Sequence, residues 1–240
     1  MKIRKTIIAI TGVLVLLLSG VSLGYQPEVK SDETAARQQD ERGYSFNEAL
    51  QLLRDGDAAN AASMFEAVIE NDPGHVQAHI NLARAYIDLG NYDQAEGTIA
   101  QALEMDPENA DAYLVQGRVY HATDRLEEAA GSYSRSVELD ENNAYALNNL
   151  GYAYIQLEAF GEAIPVLEQA VEQKDDVHFF YNNLGVAYMK TGMLEEAADA
   201  FQSALEIKPD YNRAEENLMI VNEQLGEEDE EELSEVRDNE

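Results

Sequence analysis

The sequence predicts an all-α chain, an α-solenoid of about five stacked helix pairs closed by one further C-terminal helix. Three observations point there. A tyrosine recurs every 34 residues, as Tyr86, Tyr120, Tyr154 and Tyr188. Other residue types keep the same interval. Within each interval, two segments carry apolar residues at helical spacing. A supersecondary unit repeated at this length cannot bury its apolar face alone, so its copies stack on one another.

Units counted from Arg42, Val76, Ala110, Ala144 and His178 align without one insertion. The twentieth place holds Ala61, Ala95, Ala129, Ala163 and Ala197, and the twenty-fourth a large apolar residue, Phe65, Ile99, Tyr133, Leu167 or Phe201. Leu82, Ala83 and Tyr86 follow His79 at helical offsets, and Ala95, Ile99, Ala102 and Leu103 repeat the pattern after Gly90. Gly90 ends the first helix. Pro107 ends the second, because it cannot donate the intrahelical hydrogen bond. Asn109 and Asn143 stand where an N-cap belongs. Ala83, Gly117, Gly151 and Gly185 remove bulk where the paired helix approaches, and the alanines of the twentieth place receive the large residue opposite. In the first unit, Ser45-Phe46-Asn47-Glu48 has capping-box spacing. Pro165, a few residues into its helix, is expected to kink it slightly rather than break it.

These residues carry a family resemblance. The segments Leu147-Asn148-Asn149-Leu150-Gly151-Tyr152-Ala153-Tyr154 and Tyr181-Asn182-Asn183-Leu184-Gly185-Val186-Ala187-Tyr188, followed by the recurring Ala, large apolar residue and Pro, resemble the tetratricopeptide repeat, or TPR. The resemblance implies a right-handed α-solenoid whose first helices line a concave groove for extended peptides or partner helices. The second helices would then form the convex back. The chain departs from the family pattern in having no Trp, with His79, Tyr113, Leu147 and Tyr181 at its first position, and in lacking the final Pro in two units.

The array is expected over residues 44–211. Ala214, Leu218 and Val221 lie at helical spacing in 212–225, which resembles the capping helix that closes such arrays. Residues 226–240 follow as a disordered acidic tail, since Glu227 to Glu240 holds nine acids and one Arg. At the other end, Lys2, Arg4 and Lys5 precede an uncharged stretch from Thr6 to Pro27 with an apolar core, Ile7 to Leu18. Residues 1–24 are therefore expected to be a signal peptide or a signal anchor, either cleaved or retained, and 25–43 a polar tether. The basic residues stay on the cytoplasmic side, so the array is expected to be exported, periplasmic or anchored to the inner membrane. Val21 stands where a lipidated Cys would be required, which excludes lipidation.

Composition narrows the function. Lys and Arg number 16 against 47 Asp and Glu, a net charge of -31, which argues against nucleic acid or an anionic membrane face as the main partner. The membrane enters only through the N-terminal segment, if that is uncleaved. With no cysteine there is no disulfide, no thiolate metal site and no Cys nucleophile. The four histidines show no metal spacing, and no phosphate loop or serine elbow is present. The expectation is a protein that is not an enzyme, needs no cofactor or metal, and binds another protein.

Charge locates the surface. Over the first fourteen residues of units two to five, Arg84, Arg118 and Lys190 oppose Asp88 and Asp111, a net of +1; over residues eighteen to thirty, thirteen acids oppose Arg135, a net of −12. The first-helix face pointing away from the Tyr86-type core falls at the second, fifth, ninth and twelfth places. It carries Phe46, Leu50 and Leu53, then Gln77, Ile80, Arg84 and Ile87, then Asp111, Leu114, Arg118 and His121, then Tyr145, Asn148, Tyr152 and Ile155, and last Phe179, Asn182, Val186 and Met189. A binding groove is expected to use Arg84, Arg118, His121, Tyr145, Asn148, Tyr152, Phe179, Asn182 and Met189. Part of this face would instead serve contacts between adjacent first helices. The two arginines suit a carboxylate or a run of backbone carbonyls, unless each pairs locally, Arg84 with Asp88 and Arg118 with Asp111. The role implied is a scaffold of the bacterial envelope, with an assembly factor for a pilus or secretion machine, or an outer-face subunit of a membrane complex, as alternatives.

Overall fold

Eleven α-helices run through residues 45–238, which a computed structural model describes, with side chains described through residue 226. They are α1 (Phe46–Arg54), α2 (Ala58–Asn71), α3 (Val76–Asp88), α4 (Tyr92–Met105), α5 (Ala110–Ala122), α6 (Leu126–Leu139), α7 (Ala144–Gln156), α8 (Phe160–Gln173), α9 (His178–Lys190), α10 (Leu194–Ile207) and α11 (Asn212–Asp238). The expected signal or anchor segment and tether lie outside the described residues. Two compact bodies divide the described chain, residues 45–153 and 154–238, and their boundary falls within α7.

The period is kept to the residue. First helices begin at Val76, Ala110, Ala144 and His178, each at the first place of its unit. The alanines of the twentieth place and the large residues of the twenty-fourth are all 0% exposed. The small eighth place explains how they fit. A Cβ built on Gly117 would lie 2.5 Å from the Tyr133 ring, and one on Gly185 would lie 2.7 Å from the Phe201 ring. In the first body each helix packs on the next through α6, and α3 also touches α1 and α5; in the second, α9 packs on α8 and α10, and α11 on α9 and α10.

Each first helix ends in the same turn. The fifteenth place is left-handed in all five units, at Gly56, Gly90, Asp124, Glu158 and Gly192. The next N–H reaches back to the carbonyl of the eleventh place: Asn91 to Tyr86 at 2.8 Å, Arg125 to Tyr120 at 2.9 Å, Ala159 to Tyr154 at 2.9 Å. This is a Schellman closure, which glycine enters without a Cβ penalty. Asp124 and Glu158 adopt it at φ 60 and 57 with a Cβ present.

Caps follow the reading in part. Asn109 accepts from the Ala112 N–H at 3.1 Å and Asn143 from the Ala146 N–H at 3.1 Å, while His75 fills the same place with its imidazole Nδ1. Ser45 heads α1 through its carbonyl, and its hydroxyl makes no cap bond, so the box spacing marks a helix start without forming the box. α8 runs unbroken through Pro165. His79 is buried, as a core replacement should be.

The recurring tyrosine does more than fill space. Tyr86 donates its hydroxyl to Glu66 of α2 at 2.5 Å, and Tyr188 donates to Glu168 of α8 at 2.6 Å, in each case an acid 20 residues earlier. Burial and the neighbouring carboxylate push the Tyr86 phenol up to about 12.

One segment corrects the sequence reading. Residues 226–238, expected to be a disordered tail, continue α11 as helix. Charge alone argued for disorder, but Glu is a strong helix former, and extending a helix already packed on α9 and α10 avoids the cost of a new nucleus.

Candidate functional site

The expected groove residues divide between the two bodies. Arg84, Arg118, His121, Tyr145, Asn148 and Tyr152 belong to the first; Phe179, Asn182 and Met189 belong to the second.

In the first body, α3 and α5 pack side by side and bring four charges together. Arg84 Nη2 lies 3.4 Å from Asp111 Oδ1, and Arg118 Nη2 lies 3.7 Å from Asp88 Oδ1. The partners are thus exchanged relative to the local pairing that the sequence suggested: each Arg reaches the acid of the neighbouring helix. The cations are the inner members, at 4% and 14% exposure, and the acids the outer ones, at 26% for Asp111 and 36% for Asp88. Arg84 Nη1 also donates to Asn81 Oδ1 at 3.0 Å, while its Nε meets no acceptor among the described residues. Burial raises the Asp88 carboxyl above its ordinary value against the pull of Arg118 and Arg84. Beneath this cluster the ring of Tyr133 is fully buried, and burial raises its phenol against the opposing charge of Arg118.

Beyond Arg118 on α5, the His121 ring sits 5.1 Å from that of Tyr152 on α7. Burial lowers its imidazole to about 4, so it is neutral at ordinary pH. Tyr145, Asn148 and Tyr152 are buried. In the second body Phe179 and Asn182 are buried, Met189 is half-buried, and Asn217 of α11 donates to Asn182 at 3.2 Å.

Much of the face that the pattern selected is therefore packed. Phe46, Leu50, Leu53, Ile80, Leu114, Ile155 and Val186 are buried together with Arg84, Tyr145, Asn148, Tyr152, Phe179 and Asn182. Asp111, Arg118, His121 and Met189 keep an accessible part, as do Gln77 and Ile87. Asn81 was missed, although a signal existed: Asn recurs at the sixth place as Asn81, Asn149, Asn183 and Asn217. Among the described residues no group of His, Asp and Glu could hold a metal ion, and no helix is long and apolar enough to cross a membrane.

Comparison with known proteins agrees with this architecture. Family models described as tetratricopeptide repeat match residues 52–118, 144–176 and 179–211, and one described as TPR repeat matches residues 117–158. Among solved structures, MamA is 25% identical, with a TM-score of 0.59 over 69% of this chain and 96% of its own. TTC0263, a thermophilic TPR protein of Thermus thermophilus, is 22% identical, with a TM-score of 0.62 over 73% of this chain and 96% of its own. YrrB, described as a TPR protein with an unusual peptide-binding site, is 24% identical, with a TM-score of 0.57 over 74% and 91%. The last two show the fold alone. No curated protein matches the sequence. The four family matches run through residues 52–176 and 179–211, well over half of the chain, and on them and the helix-pair architecture together the chain belongs to the tetratricopeptide-repeat family.

Proposed function

We propose that this protein is an interaction scaffold of the bacterial cell envelope, which holds a segment of another protein against the first helices of its N-terminal body. The carrying observation is the α3–α5 edge, where Ile87, Asp88, Asp111, Arg118 and His121 lie at the accessible side of an otherwise packed helix face. First helices that are nearly neutral beside second helices of strongly negative charge give a bound segment one face on which it meets no wall of acid. Membership of the tetratricopeptide-repeat family supports a segment of another protein as the ligand class.

The envelope assignment rests on Lys2, Arg4 and Lys5 ahead of the apolar run Ile7 to Leu18. Alkaline phosphatase fused after Glu240 is expected to be active in cells, and an inactive fusion at normal expression would refute export. A photo-crosslinking residue in place of His121 is expected to capture one envelope protein in intact cells. Labelling indistinguishable from that of a crosslinker at exposed Gln101 on α4 would refute this edge as the binding surface.

A further inference from the structure

We infer that Arg84 and Arg118 form a carboxylate-receiving pair whose resting occupants are the chain's own Asp111 and Asp88, so that an acidic side chain of a bound segment enters by exchange with them. The inference rests on the reading of the α3–α5 edge as the partner surface, and it names what that surface recognises.

The layering of the cluster carries it. The guanidiniums are held underneath, with Arg84 only 4% exposed. The carboxylates lie on top, at 26% and 36%, and can swing into solvent at little cost. Cations that cannot leave and anions that can are the arrangement a competing anion exploits. The resting contacts are also loose. At 3.4 and 3.7 Å they exceed the roughly 2.7–2.9 Å of a tight charge-assisted hydrogen bond. Arg84 Nε, buried and without an acceptor among the described residues, is a donor still to be used. Asp88, raised by burial in spite of two arginines beside it, is an anion that the site holds weakly. The net charge of the chain does not forbid an acidic guest, because the acid sits on the second helices and salt screens it over a Debye length of about 8 Å.

The test uses the full-length chain, in detergent, with the side-chain Nε–H signals of Arg84 and Arg118 followed by NMR. The probe is N-acetylglutamate N-methylamide, which offers one side-chain carboxylate; the control is the glutamine analogue. Both arginine signals are expected to shift saturably with the acid and not with the amide. In Asp88→Asn the same probe should bind about 3- to 5-fold tighter, the scale set by losing an exposed competing ion pair. Asp88→Asn is the informative variant because it removes the charge of the acid beside the less buried arginine, and a circular dichroism spectrum matching the parent establishes its fold. Equal shifts with acid and amide, no shift at all, or unchanged or weaker binding in Asp88→Asn would each overturn the inference. If the His121 crosslink still captures its partner in that event, the scaffold reading stands and only carboxylate recognition falls.

Discussion

Gly117→Ala tests the close approach on which the stack depends. Alanine is the better helix former by about 1 kcal/mol, so helix propensity alone predicts a gain. The added Cβ would sit 2.5 Å from Cδ1 and Cε1 of Tyr133, whereas carbon atoms pack at about 3.5–4.0 Å. Tyr133 is 0% exposed and cannot withdraw, so overpacking of about 1–3 kcal/mol opposes the gain. We expect the gain to be cancelled or reversed, a net loss of up to about 2 kcal/mol in urea unfolding followed by far-ultraviolet circular dichroism. The matched control is Gly131→Ala on α6, where a Cβ meets nothing within 4 Å; there the gain of about 0.5–1 kcal/mol should appear unopposed. The second unit supplies the repair, since it pairs Ala83 with Ile99 at the same two places. Gly117→Ala with Tyr133→Ile should therefore be less destabilised than the sum of the two single changes. If Gly117→Ala stabilised as much as Gly131→Ala, or if the double change were additive, the account of the eighth and twenty-fourth places would be refuted.

Two further outcomes follow from the turns and the tyrosines. Glu158→Gly should stabilise by up to about 1 kcal/mol in the same assay, and Asp124→Gly by less, because Asp tolerates a left-handed backbone better than Glu does. The phenol of Tyr86 is raised from 10.0 to about 12, so folding favours its neutral form. Its contribution is complete below pH 10 and is lost as pH rises through about 12. Tyr86→Phe should flatten the alkaline fall in stability across that window, and an unchanged slope would remove the Glu66 bond from the account.

The fold was largely legible because repetition makes each unit a check on the others. A place that is small in four units, or large and apolar in five, has one structural meaning. What escaped was what repetition hides. Asp124 and Glu158 break the glycine pattern of the fifteenth place, so only the backbone shows that the turn is the same in all five units. The acidic C-terminal run carried a composition argument for disorder, but composition is blind to a packed helix immediately upstream. The site was the less legible part. Periodicity assigns Arg84, Tyr152 or Phe179 to a face and says nothing of what covers that face. Distance along one helix suggested Arg84 with Asp88, and the packing of α3 on α5 exchanged the partners.

α11 starts at Asn212, 34 residues after His178, and buries Ala214 and Val221 at the places where α9 buries Phe180 and Ala187. It is the opening half of another unit. Yet its eighth place, Ala or Gly in the four units before it, is Met219, 67% exposed. A thioether side chain there denies a paired helix the close approach that Gly117 and Gly185 grant. Met219 is joined by Glu231 and Glu235, which stand where earlier units carry the Ala and the large apolar residue of the second helix, so an engineer wishing to lengthen the protein would have to change all three, beginning with Met219→Gly.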